Sequence, residues 1–517
     1  MENQSENTKR IAKNTLMLYV RMLFGMLVSL YTSRVVLQAL GVEDYGIYNV
    51  VGGFVSMFSM ISTSLSSSAS RFLTFELGRG DMEQLKKVFS TSLCIHLVLA
   101  GIVFLAAESV GVWFLNTQMT IPADRLYAAN WVFQASLVAF MFGLFSVPYN
   151  ASIVAHERMT VFAYFGILDI ILRLFIILFI AYAPFHFDRL IVYSLLLIVL
   201  GISMQIVYWI YCKRHFEECR LQFRFYHETW KAMSAFAGWN FIGCTAGLLK
   251  DQGVNILLNL FIGPVLNAAR AIAGSVNNVL SSFASNFMTA LNPQITKSYA
   301  AGDYSYMFSL VERGSRFSYY ILLVFALPVL FETEFILTLW LKSYPEHTVN
   351  FVRLVLLVTM CDILSNTLIN LQLATGKLRN YQLVVGGMLL MNFPLSYICL
   401  KLGFPPESVL IVALLVAVCC LLLRLLFLRR MVGLPVRRYL YKVCGNVVMV
   451  TSAALLLPLL FMWQMQDGFQ RFLVVSLLSV ICTIGSIYWI GCTSNERNFI
   501  RAKVLIVLKN KYAYIHR

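Results

Sequence analysis

Apolar runs of about 20 residues follow one another almost without pause from residue 12 to residue 492, and a run of that length crosses a bilayer as a helix. In hydrocarbon each backbone group must find its partner within the protein, so successive runs of this kind can build only a helical bundle. We read about fourteen spans: 12–39, 45–70, 86–107, 127–148, 157–182, 190–212, 232–259, 266–291, 314–331, 349–374, 378–400, 407–428, 443–463 and 472–492. Charged residues make up 13% of the chain, against about 25% in soluble domains. The expected fold is an all-α polytopic membrane protein.

The positions of the basic residues test this count. With a cytoplasmic N-terminus, 28 Lys and Arg fall on the cytoplasmic side, including Lys9, Arg10, Arg158, Lys297, Arg313, Arg429, Arg430, Arg437, Arg438 and Lys442. The opposite side holds 5: Arg125, Arg189, Lys342, Lys401 and Arg471. A missed or surplus span would scramble this alternation, so both termini are expected to be cytoplasmic. The net charge of +16 then belongs near anionic headgroups rather than on nucleic acid. The basic tail 493–517 is amphipathic and is expected to lie on the membrane surface. The polar first ten residues and the long first apolar run do not resemble a cleavable signal peptide.

One stretch occurs twice. Residues 41–81 and 263–303 align without a gap at a spacing of about 222, matching Gly41, Gly52, Ser59, Thr74, Gly80 and Asp81 with Gly263, Gly274, Ser281, Thr296, Gly302 and Asp303. At about 100° per residue, Asn267, Arg270, Gly274, Asn277, Ser281, Ser285 and Asn292 share one polar seam. Tyr45, Tyr48, Gly52, Ser59, Thr63, Ser66 and Ser70 form the corresponding seam of the first copy. Two halves, each presenting a polar helix face, are expected to enclose a cavity. The spacing equals six spans, an even number, so the repeats run parallel. This gives an N-terminal lobe at 1–230, a C-terminal lobe at 231–430, and two added spans with the tail at 431–517.

Charges at depth are costly and must face protein or water. The bases there (Arg21, Arg34, Arg71, Arg173, Lys250, Arg270, Arg353 and Arg424) outnumber the acids Asp169, Asp251 and Asp362, which points to an anionic cargo. Arg21 reads as cavity lining or as an interhelical structural bond, and Arg34 lies nearly opposite it on a straight helix. Lys250 reads as a cargo contact, with pairing to its neighbour Asp251 as the alternative. Arg270 opens the second seam and reads as a site residue. The four-residue spacing of Asp169 and Arg173 suits a helical ion pair. Asp251 and Asp362 are the candidate ion-coupling acids, Asp362 reading either as a proton relay or cation site or as a bonded structural acid. The cavity set is thus Arg21, Lys250, Arg270, Asn267, Asn277, Ser281, Tyr48 and Ser59.

Enzyme signals are missing: the chain has no Walker loop, GxSxG or HExxH. Its eleven cysteines are scattered and its seven histidines form no ligand set, so neither a disulfide framework nor a metal site is expected.

The stretches LGVEDYGIYN at 40–49, VPYNASIVAHERM at 147–159 and GPVLNAARAIAGSVNN…NPQITKSYAAGD at 263–303 resemble Wzx-type O-antigen and polysaccharide flippases of the multidrug/oligosaccharidyl-lipid/polysaccharide (MOP) exporter superfamily. The resemblance runs the length of the chain. It implies about fourteen transmembrane helices, as two six-helix lobes plus two, in a bacterial inner membrane. The implied activity is flipping of undecaprenyl-pyrophosphate-linked oligosaccharide, an O-antigen or capsule repeat unit of lipopolysaccharide-type assembly, by alternating access around a cationic cavity. It further implies no bound cofactor, coupling to an H+ or Na+ gradient, and partners among membrane lipids and the polysaccharide assembly machinery. A cation-coupled multidrug antiporter and a lipid II flippase of the same superfamily compete with this reading. A membrane-embedded glycan polymerase fits less well, because the outer loops at about 108–126 and 332–348 are short.

Overall fold

Each predicted span falls on helical residues of the computed structural model, which describes residues 2–56, 58–117, 121–183, 187–220, 226–262, 264–341, 343–498 and 501. The long helices are α1 (Glu2–Ser56), α2 (Ser59–Arg79), α3 (Met82–Thr117), α4 (Leu126–Ala155), α5 (Met159–Tyr182), α6 (Arg189–His215) and α7 (His227–Phe261). They continue as α8 (Pro264–Ala300), α9 (Tyr304–Phe331), α10 (Thr348–Thr375), α11 (Arg379–Lys401), α12 (Ser408–Val432), α13 (Val436–Gln464) and α14 (Phe469–Gly491). No strand occurs among the described residues. The tail beyond residue 501 lies outside them.

Twelve helices among the described residues are long and apolar enough to cross a membrane. The two predicted spans not among them, 45–70 and 266–291, are the two polar-seam stretches. Both are helical, the first as the end of α1 and the start of α2, the second within α8. In α8 the Ser and Asn residues from Ser275 to Asn286 dilute the apolarity that defines an ordinary span. Elsewhere the helices present large apolar side chains outward, such as Leu27, Leu105, Ile481 and Leu456. Exposed Leu and Ile along helices of this length are lipid-facing surface. The chain is a multi-pass membrane protein.

The repeated glycine–aspartate pair has a structural meaning. Gly80 ends α2 at φ 75, and the Asp81 carboxylate accepts from the Gln84 amide at 2.9 Å to cap α3. Gly302 ends α8 at φ 76, and the Asp303 carboxylate accepts from the Tyr306 amide at 3.0 Å to cap α9. In both copies a left-handed glycine stops one helix and an N-capping aspartate starts the next. Gly41, at φ 82, likewise breaks α1 where spans 1 and 2 meet.

The chain forms two compact units. The first comprises Met1–Thr245, Thr289–Met307 and Leu373–Gln382, and the second Ala246–Met288, Phe308–Gln372 and Leu383–Arg517. In the first unit α1 packs on α5, α4 on α6, and α2 on α4. Leu73, Leu85, Phe89, Tyr149 and Ile153 form one core, and Val51, Val55, Val132, Phe133 and Leu137 another. The end of α8 belongs to this unit: a Cβ on Gly78 would meet the Lys297 backbone at 2.9 Å, so only glycine lets α2 cross α8 this closely. In the second unit α13 packs on α14. There the buried Ser315 hydroxyl of α9 meets Tyr439 of α13 at 2.8 Å, and Tyr439 donates to the Leu364 carbonyl of α10 at 2.9 Å.

Candidate functional site

The first unit contains a half-open cavity of about 670 Å³, whose lining includes Arg21, Tyr48, Ser146, Asn150, Asp169 and Arg173. Its shape follows from helix spacing. The Arg21 guanidinium of α1 lies over the Phe162 ring at 4.6 Å. It rests against Gly166 of α5, where a Cβ would overlap the guanidinium. Two turns on, Arg173 donates from Nε back to Asp169 at 2.9 Å, an i,i+4 pair on the same helix. Tyr48 meets Tyr193 edge-on with ring centroids 5.2 Å apart. Ser146 donates to Gln205 at 2.6 Å. Two guanidinium groups thus share the space with one carboxylate, leaving a net positive wall among hydroxyl, amide and phenol groups.

The second unit holds the other predicted residues. Lys250 Nζ of α7 lies 3.3 Å from the Asp362 carboxylate of α10, joining two residues 112 positions apart. The Lys250 side chain is 10% exposed and that of Asp362 40%, so the pair opens on the acid's side. Arg270 Nε donates to Asn255 Oδ1 at 2.6 Å, tying α8 back to α7. Asn277 is half-buried, and the Ser281 hydroxyl turns to the Asn278 carbonyl at 3.4 Å. The side chains of Ser59, Asp251, Asn267 and Arg34 lie outside the described residues. Arg21 and Tyr48 therefore meet in one cavity, and Lys250 and Asp362 meet in one pair. Arg270, Asn277 and Ser281 lie along α8.

Sequence reasoning passed over a second cluster in the first unit. Glu157 occupies the α4–α5 turn at φ 58, uncommon for a residue with a Cβ. Its side chain is 1% exposed. The carboxylate takes Lys297 Nζ at 2.7 Å, an ion pair with Arg10 and a hydrogen bond from the Gln294 amide. The Glu157 carbonyl accepts from Asn14 at 3.1 Å. One acid thus gathers the start of α1 and the end of α8. Its one sequence signal was a place inside VPYNASIVAHERM, since neither φ nor burial can be read from residue type. Arg125 forms a comparable tie between helix ends, donating from Nε to Asp44 at 2.8 Å and from an NH group to Asp188 at 2.6 Å. The hydrogen bonds from Arg125 to Asp44, and then to Asp188, raise its pKa above the ordinary arginine value despite the opposing effect of burial.

No group of three or more His, Cys, Asp and Glu that could hold a metal occurs among the described residues. Guanidinium, hydroxyl and amide groups of this kind can hydrogen-bond anionic and hydroxyl-rich groups.

The family model for polysaccharide biosynthesis proteins matches residues 9–299. An uncharacterized membrane protein of Bacillus subtilis, EpsK, is 21% identical over 301 residues, covering 57% of this chain and 58% of its own length. Among solved structures, the MATE transporter ClbM in complex with Rb+ aligns with TM-score 0.69 at 14% identity, over 84% of this chain and 98% of that one. A MOP superfamily transporter from Pyrococcus furiosus, described as having a binding pocket of reversed polarity, aligns with TM-score 0.67 at 13% identity, over 83% of this chain and 96% of that one. Identities this low establish the fold alone, and the family match covers more than half of the chain. The chain has the fold of MATE transporters and belongs to the polysaccharide biosynthesis protein family.

Proposed function

We propose that this protein is a flippase that moves undecaprenyl-pyrophosphate-linked oligosaccharide, an O-antigen or capsule repeat unit, across a bacterial inner membrane. Both termini lie in the cytoplasm. The observation that carries the reading is the cation-rich cavity of the first unit. Arg21 and Arg173 exceed Asp169 in charge there, and Tyr48, Ser146 and Asn150 add hydrogen-bonding groups. Guanidinium groups suit pyrophosphate oxygens through paired, charge-assisted hydrogen bonds. Hydroxyl and amide groups suit sugar hydroxyls, which both donate and accept. Transport exposes this wall to each side of the membrane in turn, while the polyprenyl tail stays in lipid. An H+ or Na+ gradient drives the cycle, and the Lys250–Asp362 pair, which joins α7 to α10, is its candidate coupling site. Polysaccharide assembly enzymes supply and remove the cargo.

The test is leaflet exchange of a fluorescent undecaprenyl-pyrophosphate-oligosaccharide in liposomes containing the purified protein. Exchange by the wild type that falls in Arg21→Gln supports the flippase. Efflux of a cationic dye with no lipid exchange under any ion gradient replaces it with the cation-coupled antiporter of the same fold.

A further inference from the structure

A second cavity, of about 400 Å³, lies in the second unit, where the start of α9 meets the start of α13 and the residues after α14. Its lining carries four cations, Arg313, Arg316, Arg438 and Lys442, against one carboxylate, Glu312. Glu496 stands beside it and takes Arg316 at 3.0 Å and Arg313 at 3.5 Å. Glu312 pairs with Arg438 at 2.7 Å. Two positive charges therefore remain uncompensated, and Lys442 has no carboxylate within 4.0 Å among the described residues.

The pocket is built rather than merely lined by surface lysines. The Arg316 side chain is 7% exposed and is held by the Gly491 carbonyl at 2.7 Å. Its Nε is buried and has no hydrogen-bond partner among the described residues, a state that is unfavourable in a closed interior and that an anionic oxygen would relieve. Two π-helical turns border the space. Leu440–Gly445 carries Tyr441 and Lys442, and Ile487–Gly491 ends on the carbonyl that holds Arg316. Widened turns of this kind concentrate at functional sites. Beyond the bases the wall becomes apolar: Met449 lines the pocket, and Val448 and Leu456 continue outward along α13. Charge at a helix end with an exposed apolar helix face below it is the pattern of a lipid, phosphate at the bases and chains along the helix.

We propose that this pocket binds the phosphate of an anionic glycerophospholipid in the adjoining leaflet. Arg316 supplies the buried donor, and Arg313, Arg438 and Lys442 supply the rim. Basic pockets between membrane helices hold such headgroups. The site belongs to the second unit, and a lipid held there buttresses α13 and α14 against α9. Its occupancy does not depend on the cargo.

The experiment is native mass spectrometry of the full-length protein released from vesicles with equal fractions of phosphatidylglycerol and phosphatidylcholine. The wild type retains phosphatidylglycerol preferentially. Retention falls roughly thirtyfold in Arg313→Gln/Lys442→Gln, the scale for two bases near an anionic surface. It is unchanged in Arg429→Gln/Arg430→Gln, which removes two bases outside the pocket. Ser309→Glu, which places a carboxylate in the wall without removing any base, gives the same loss and guards against a double variant that fails to fold. Equal retention in pocket and control variants overturns the proposal. So does displacement by inorganic pyrophosphate without preference for the anionic lipid, which marks a free-anion site. Selective replacement of phosphatidylglycerol by undecaprenyl pyrophosphate overturns the glycerophospholipid assignment and makes the pocket a cargo site.

Discussion

Glu157 and Lys297, 140 positions apart, meet at 2.7 Å, with the carboxylate buried and the ammonium half-buried. The α4–α5 turn is thereby joined to the end of α8, and Arg10 extends the tie to α1. Burial lowers the Lys297 pKa and the Glu157 charge opposes that shift, so the ammonium depends on this one acid.

Glu157→Gln removes the charge shared by two cations and keeps the shape. The loss should approach the roughly 1.5–3 kcal/mol of a hydrogen bond to a charged group, seen as a lower melting temperature in detergent. Lys297→Gln should cost less, because Arg10 and Gln294 still hold the carboxylate. Equal melting temperatures for the wild type and Glu157→Gln would show that the cluster contributes nothing to stability.

Gly166→Ala tests whether the place of Arg21 matters as well as its charge. The added methyl overlaps the guanidinium and must push it off Phe162. Lipid exchange in liposomes should fall toward the level of Arg21→Gln while the protein stays folded. Wild-type exchange in Gly166→Ala would remove Arg21 from the cargo path.

Asp362→Asn leaves Lys250 nearly buried without its partner. The expected loss lies below the roughly 3–5 kcal/mol of a fully buried pair, because Asp362 is 40% exposed. Lys250→Met/Asp362→Asn should recover much of that loss, and a double-mutant cycle on melting temperatures measures the coupling. Additive single effects would mean the two charges do not interact.

Glu407 gives a pH signature at the start of α12. Burial pushes its carboxyl up, but the hydrogen bonds from Asn350 at 3.0 Å and His347 at 2.6 Å outweigh burial and set it below the ordinary glutamate range. A depressed acid stabilises the fold above its unfolded-state value, and that contribution disappears as pH falls through the folded one. Melting temperatures of the wild type and Glu407→Gln should differ near neutrality and converge in acid. A constant gap across that range would remove the hydrogen bonds to the ionised carboxylate as its cause.

The sequence by itself determined the helices and their order. Apolar runs specify spans because lipid leaves the backbone no other partner, and each predicted run from 12–39 to 472–492 falls on helical residues. The repeat at 41–81 and 263–303 also carried local geometry, since the left-handed glycines and capping aspartates at Gly80–Asp81 and Gly302–Asp303 act over a few residues. The pair Asp169–Arg173 was legible for the same reason, being one helical turn long. Tertiary structure alone decided the partners at long range: Lys250 with Asp362, Arg21 against Gly166, and Glu157 with Lys297. A helix of known period fixes which residues share its own face. Which other helix that face meets, and at what height, follows from side-chain packing across more than a hundred residues of intervening chain.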